Sequence, residues 1–209
     1  MGGKKNKQGG RRLTEILCQI QHLDIEIKEA AGARDAVRIR HLQRRRDVLQ
    51  EELDRIRYEL QEQGRAYLVD ADEKLGRARE CRSGSGSLKE AMIAARESIE
   101  YSAKAITLFT GGRPPPRHHY TREQINATLQ ALPEIPARQH NFLRIFVLMN
   151  LLSWLNTLAT YAPEYHYAHK YMRDLFRKQE VDLALEWAEE SFAAALGLIT
   201  WIDEQSMKL

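Results

Sequence analysis

"LKEAMIAARESIEYSAKAITLF", Leu88 to Phe109, is the stretch whose reading decides the fold. Leu88, Met92, Ala95, Ile99, Ala103 and Ile106 recur at steps of three and four, the spacing that lines up one face of an α-helix. No glycine or proline interrupts these 22 residues. Alanines on the apolar face let a second helix approach closely. The stretch therefore predicts a long core helix that needs other helices around it. No stretch of the chain alternates with period two for long enough to be a convincing strand, so the expected fold class is all-α.

Working outward, "GGRPPPRHHY" (111–120) ends this helix with two glycines and stiffens the path with three prolines. "TREQ" at 121–124 fits a capping box, opening a short helix to about Leu132 that "PEIP" closes. The most apolar helix is expected over 138–160, followed by a Tyr- and His-rich connection and a last helix, "EVDLALEWAEESFAAALGLITWI". Upstream, "SGSGS" (83–87) is a short turn, and "RAYLVDADEKLGRARECR" before it is an amphipathic helix. Further back, Leu13, Ile16, Ile20, Leu23, Ile27 and Ala30 form a heptad seam. A second seam, out of phase with the first, runs through Leu42, Leu49, Leu53, Ile56 and Leu60. Either one long helix carries a skip in its pattern, or two helices fold back near Gly32; the hairpin is the expected arrangement. The organisation read from this pattern is a flexible basic arm (1–11), a helical hairpin or coiled coil (12–63) and a helical bundle (64–209).

Composition bounds the partners. The net charge of +3 is unevenly placed, since residues 1–66 hold 15 Lys and Arg against 11 Asp and Glu. "FLRIFVLMNLLSWL" is broken by Arg144 and Asn150 and falls short of a membrane span, so no membrane partner is expected. The basic start is followed by no apolar core region, and residue 6 is Asn, so neither a secretory leader nor a myristoylation pattern is expected. Cys18 and Cys81 lack metal-ligand spacing and read as reduced thiols of a cytoplasmic protein. No metal and no cofactor are expected.

The run "RAYLVDADEKLGRARE", then "AMIAARESIEYSAKAITLFTGGRPPPRHHYTREQINATLQAL" and finally "VDLALEWAEESF" closely resembles the HEPN domain (higher eukaryotes and prokaryotes nucleotide-binding) over about residues 64–200. The order Lys104, Ala105, Gly112, prolines and His is the most specific part of the likeness. The resemblance implies a four- to five-helix bundle that usually dimerises and a role connected with nucleotides or RNA. Many members of the family act beside a minimal nucleotidyltransferase. Others are metal-independent RNases whose motif is an Arg and a His separated by four to six residues. Toxin–antitoxin and defence systems are the implied settings.

Three groups of residues are candidate sites. Arg113 and His118 have the Arg-x-x-x-x-His spacing, and a His near neutral pKa can move a proton at the 2′-hydroxyl or leaving oxygen while an Arg holds the phosphate. The same residues read as a turn whose His helps cap the next helix, with Arg113 and Arg117 left to bind phosphate; the turn is the expected role. Tyr165, His166, Tyr167, His169 and Lys170 can stack bases and hold phosphates, or tie down a long connection. Arg38, Arg40, Arg44, Arg45 and Arg46 can neutralise several phosphates, or form a solvated flank. Glu100 with Lys104 reads as an ordinary (i, i+4) helix pair. The function expected from these residues is RNA or nucleotide binding by a homodimer. The alternatives are a metal-independent endoribonuclease using Arg113 and His118, and an adaptor that docks a protein through the heptads.

Overall fold

Apolar residues at helical spacing with few breakers fold, among the described residues, into seven α-helices in the computed structural model. The structure describes residues 6–116, 118–161 and 176–208, with side chains over 12–84, 86–116, 118–153 and 176–208. In order they are α1 (Asn6–Gly32), α2 (Ala36–Glu80), α3 (Leu88–Phe109), α4 (Arg122–Gln130), α5 (Glu134–Gln139), α6 (Phe142–Tyr161) and α7 (Lys178–Ser206). Among the described residues there is no strand. Two compact units divide the chain, Met1–Glu62 and Gln63–Leu209, and the division falls inside α2. Gly64 does not interrupt that helix.

The first unit is an antiparallel hairpin. Ile16 and Ile20 of α1 bury against Leu53 of α2, and Leu23 and Ala30 bury against Leu42 nearer the turn. Each seam is thus covered by the other within one chain. Arg12 forks onto Glu52 at 2.9 and 3.1 Å, and Arg46 Nε reaches Asp24 at 2.6 Å, which holds the register from outside. At the turn, Arg34 adopts φ 57° and Asp35 Oδ1 accepts from the Arg38 amide at 3.0 Å, capping α2. The reversal therefore sits at Arg34, two residues past the glycine that signalled it. The backbone of α1 is already helical at Asn6, inside the segment expected as an arm; Gly9 and Gly10 each cost a helix only about 1 kcal/mol.

In the second unit α3 is central, packed against α6 and α7. Its core face joins Leu68, Leu75 and Ala78 of α2, Phe142, Ile145, Phe146 and Met149 of α6, and Val181, Ala188, Ala195 and Leu198 of α7. Ser98 Oγ donates to the Ala71 carbonyl at 2.8 Å, so α2 and α3 also lock through a buried hydrogen bond. Along α2 and the turn that follows it, Arg65 pairs with Asp203, Arg79 with Glu189 and Arg82 with Asp182 of α7, at 2.7, 2.8 and 2.5 Å. The descending partner numbers show an antiparallel register. The expected helix over 138–160 begins instead at Phe142. His140 is extended, α5 ends at Gln139, and Asn141 Oδ1 accepts from the Arg144 amide at 3.1 Å to start α6.

Gly64 is required by packing. A Cβ there would stand 2.4 Å from Phe109 Cε1, on a ring that is itself buried, whereas a Cβ at Gly76 of the same helix meets nothing within 4 Å. Gly64→Ala is expected to destabilise the bundle by about 1–3 kcal/mol through overpacking, although alanine is the better helix former. Gly76→Ala is expected to raise stability by up to about 1 kcal/mol. Thermal melts of the two variants should move in opposite directions; a rise for both would mean that the Phe109 ring does not constrain residue 64.

Candidate functional site

The bundle buries a carboxylate. Glu100 lies in the middle of α3 with only 3% of its side chain exposed, and two cations and an imidazole converge on it. Arg96, one turn earlier and 4% exposed, donates to Oε2. Lys104 Nζ donates to Oε1 at 2.5 Å, and His118 Nδ1 meets the same oxygen at 2.6 Å. Burial alone pushes the Glu100 carboxyl up. The Lys104 hydrogen bond and charge, then Arg96 and His118, outweigh that and hold it below its ordinary value. The ionised carboxylate can only accept, so Nδ1 of His118 is the donating nitrogen, and Nε2 is the ring nitrogen that Glu100 does not engage. His118 itself is 59% exposed. Lys104 is further placed 5.4 Å from the centres of both Tyr67 and Tyr101, whose rings stack at 5.8 Å.

The backbone that carries His118 is fixed at both ends. At its start, the Gly112 amide donates to Thr107 O at 2.8 Å and the Gly111 amide to Leu108 O at 2.9 Å, a Schellman ending with Gly111 at φ 77°. At its end, the Tyr120 amide donates to Asn150 Oδ1 at 2.7 Å, and Asn150 Nδ2 returns a bond to Tyr120 O at 2.8 Å. The buried Tyr120 ring meets Phe146 edge-on at 4.9 Å, and its hydroxyl shares a 2.9 Å hydrogen bond with Thr107; burial raises its pKa well above the ordinary tyrosine value. Thr121 and Gln124 then form the capping box of α4. His118 therefore caps nothing on α4, and its ring is turned back onto α3 instead.

Arg113 shares this segment. It is half-buried, burial draws its pKa down, and among the described residues no hydrogen bond or ion pair engages it. Arg117, Tyr165, His166, Tyr167, His169 and Lys170 lie outside the described residues. Arg38, Arg40, Arg44 and Arg45 are exposed on the hairpin, and Arg46 is spent on Asp24. They belong to a different unit from Arg113 and His118. Among the described residues no group of three or more His, Cys, Asp or Glu is placed to hold a metal ion, and no helix is long and apolar enough to cross a membrane.

Sequence reasoning does not single out Arg96, and it gives Glu100 only as half of an ordinary (i, i+4) helix pair with Lys104. The signal was their phase: residues 96, 100 and 104 fall at i, i+4 and i+8 beside the core positions 92, 99 and 103. Removing the charge of Glu100 leaves Arg96 buried with no counter-charge. Glu100→Gln is expected to cost about 3–5 kcal/mol, as breaking a buried ion pair does. Because the carboxyl is held below its ordinary 4.5, its stabilisation is complete above that value and is lost as pH falls through the folded-state value. Melting midpoints between pH 3 and 7 should therefore fall steeply on the acid side in the wild type and less so in Glu100→Gln. Parallel pH profiles would show that the carboxylate is not carrying that limb.

No significant match is found among curated proteins or among solved structures. A family model described as "HEPN domain" matches residues 65–202, which is about two-thirds of the chain and takes in the turn, the Glu100 cluster and the final helix. That span, over an all-helical bundle with the Lys104-to-His118 order in place, makes the chain a member of the HEPN domain family, with the nucleotide- or RNA-related role that membership carries.

Proposed function

We propose that this protein binds RNA through the phosphate backbone. The observation that carries the reading is the set of exposed arginines on the hairpin. Arg38, Arg40, Arg44 and Arg45 have no ion-pair partner among the described residues, so their charge remains available to phosphates. Arg113, half-buried and unpartnered, offers a second anion contact on the bundle. Fluorescence anisotropy with labelled RNA across a salt series tests this. Affinity should fall by about 0.7–0.9 log units per log unit of salt for each phosphate neutralised. A flat salt dependence would remove the phosphate reading.

A second reading, metal-independent RNA cleavage, is favoured by one specific geometry: an exposed imidazole whose Nδ1 is fixed by a buried carboxylate. In that reading His118 Nε2 takes the proton of a 2′-hydroxyl and the 2′-oxygen attacks the adjacent phosphorus. The bond to O5′ breaks, and solvent water supplies the leaving oxygen's proton. A 2′,3′-cyclic phosphate and a 5′-hydroxyl result. Arg113 holds the phosphate, and Glu100 acts as a positioning residue. RNA incubated with the protein in EDTA should be cut, and His118→Ala should slow this by about 100-fold or more. Cleavage unchanged in that variant would take His118 out of the reaction.

The partner class that fits the family is a minimal nucleotidyltransferase, in a toxin–antitoxin or defence setting. Self-association is the other partner reading. The heptad apolar side chains are occupied within the hairpin, so an adaptor or dimer contact through them would have to open it. The outward stripe Leu143, Val147 and Leu151 on α6, each about half exposed, is the surface that supports a homodimer. Val147→Asp is expected to shift the protein from dimer to monomer in light scattering. An unchanged mass would place the interface elsewhere.

A further inference from the structure

The hairpin segregates charge along its length. Residues 28–46, which form the turn end, hold seven Lys and Arg against two Asp and Glu, a net +5. The two stem segments are acidic: 12–27 has one basic residue against three acidic, and 47–62 has two against six. At the turn end Arg46 is neutralised by Asp24, and Asp35 is engaged in capping α2. Arg34, Arg38, Arg40, Arg44 and Arg45 are exposed, and no ion pair holds any of them among the described residues. Arg38 and Arg45 are seven residues apart, about 10 Å along the helix, and Arg34 stands at the apex.

Folding alone does not explain Arg34. Its φ of 57° is left-handed, a conformation that costs a residue with a Cβ about 1–2 kcal/mol and that glycine adopts freely. The strained position nevertheless carries a long cation at the outermost point of the turn, as strain retained for function would. Aromatic rings are equally informative. Tyr58 is the one Phe, Tyr or Trp in residues 1–62, and it lies about 20 Å along α2 from Arg45. Single-strand recognition depends on bases stacking on aromatic rings, whereas duplexes are recognised through phosphates and shape. The acidic stem repels a polyanion laid lengthwise, so within residues 12–62 the turn is the favoured point of contact.

We infer that the hairpin turn, with Arg34 at its apex and Arg38, Arg40, Arg44 and Arg45 behind it, docks end-on against the sugar–phosphate backbone of a nucleic-acid duplex without reading its bases. The inference rests on the phosphate-binding reading above and deepens it by naming the form of the nucleic acid and the residues that meet it.

The test uses the full chain and anisotropy with a 20-base-pair RNA duplex, the matching DNA duplex and single-stranded U20. Duplex should bind more tightly than U20, with a log–log salt slope of about −4 for four to five phosphate contacts. An RNA duplex bound in preference to DNA identifies A-form geometry as the target, and equal binding identifies the backbone alone; either supports the docking mode. Arg34→Gly is the discriminating variant. It should lower duplex affinity and reduce the salt slope by about one unit, while the thermal midpoint does not fall. Arg38→Glu with Arg44→Glu should abolish duplex binding with helical circular dichroism retained. If Arg34→Gly binds duplex as wild type does, or U20 binds as well as duplex, the end-on site is overturned and the broader RNA reading survives. If tight vesicle binding to phosphatidylserine accompanies duplex binding no stronger than that of U20, the turn is a lipid contact and the inference fails. If no nucleic acid binds the wild-type chain, both readings fail.

Discussion

A carboxylate with 3% of its surface exposed dictates much of the arrangement in the bundle. Taking an ion of that size out of water costs several kcal/mol even after relaxation, and only close, well-placed cations return it. Glu100 receives donors from three directions: the cations Arg96 and Lys104 from its own helix, and the imidazole of His118 from a segment eighteen residues on. The first two are free consequences of helical spacing. The third is not, because the chain after α3 must turn back and hold an imidazole within 2.6 Å of Oε1. The Schellman glycines, the three prolines and the Tyr120–Asn150 clamp are the means by which it does so.

The cluster is also unbalanced. One carboxylate faces two permanent cations, and protonation of His118 adds a third. Arg113, on the same short segment, brings a further guanidinium with no acidic partner among the described residues. The buried carboxylate thus has more basic partners than its own charge can neutralise.

The central helix was legible because its pattern is dense and unbroken, and the capping box at Thr121 because its four residues carry their own geometry. What was not legible depended on neighbours remote in sequence. Gly64 looks like a breaker in isolation, yet α2 runs through it, and the glycine is there to admit the Phe109 ring. Glu100 and Lys104 form the same (i, i+4) string whether solvated or buried, so the pair reveals its burial only through the phase of Arg96. The hairpin shows the converse: the seams allowed either one long helix or a reversal near Gly32, and the left-handed residue is Arg34, a choice that local propensity argues against. The whole of the Tyr165–Lys170 candidate lies outside the described residues, and the geometry does not bear on it.

Among its described residues the segment that presents His118 has no helix or strand, and what orders it comes from a different source. Proline gives up little backbone freedom on folding because φ is already fixed, so Pro114, Pro115 and Pro116 lower the entropy of ordering the turn before any contact forms. Anchors at Gly112 and Tyr120 then leave only a short span between fixed ends. An exposed side chain on such a span is positioned without being packed. That combination separates it from a core histidine, which is positioned by burial, and from a loop histidine, which is exposed but free. A group that must meet an incoming phosphate in one orientation needs both properties at once, since small displacements of a reacting group weaken catalysis sharply. The prolines that first read as a mere stiff connection are therefore part of what makes His118 a candidate site.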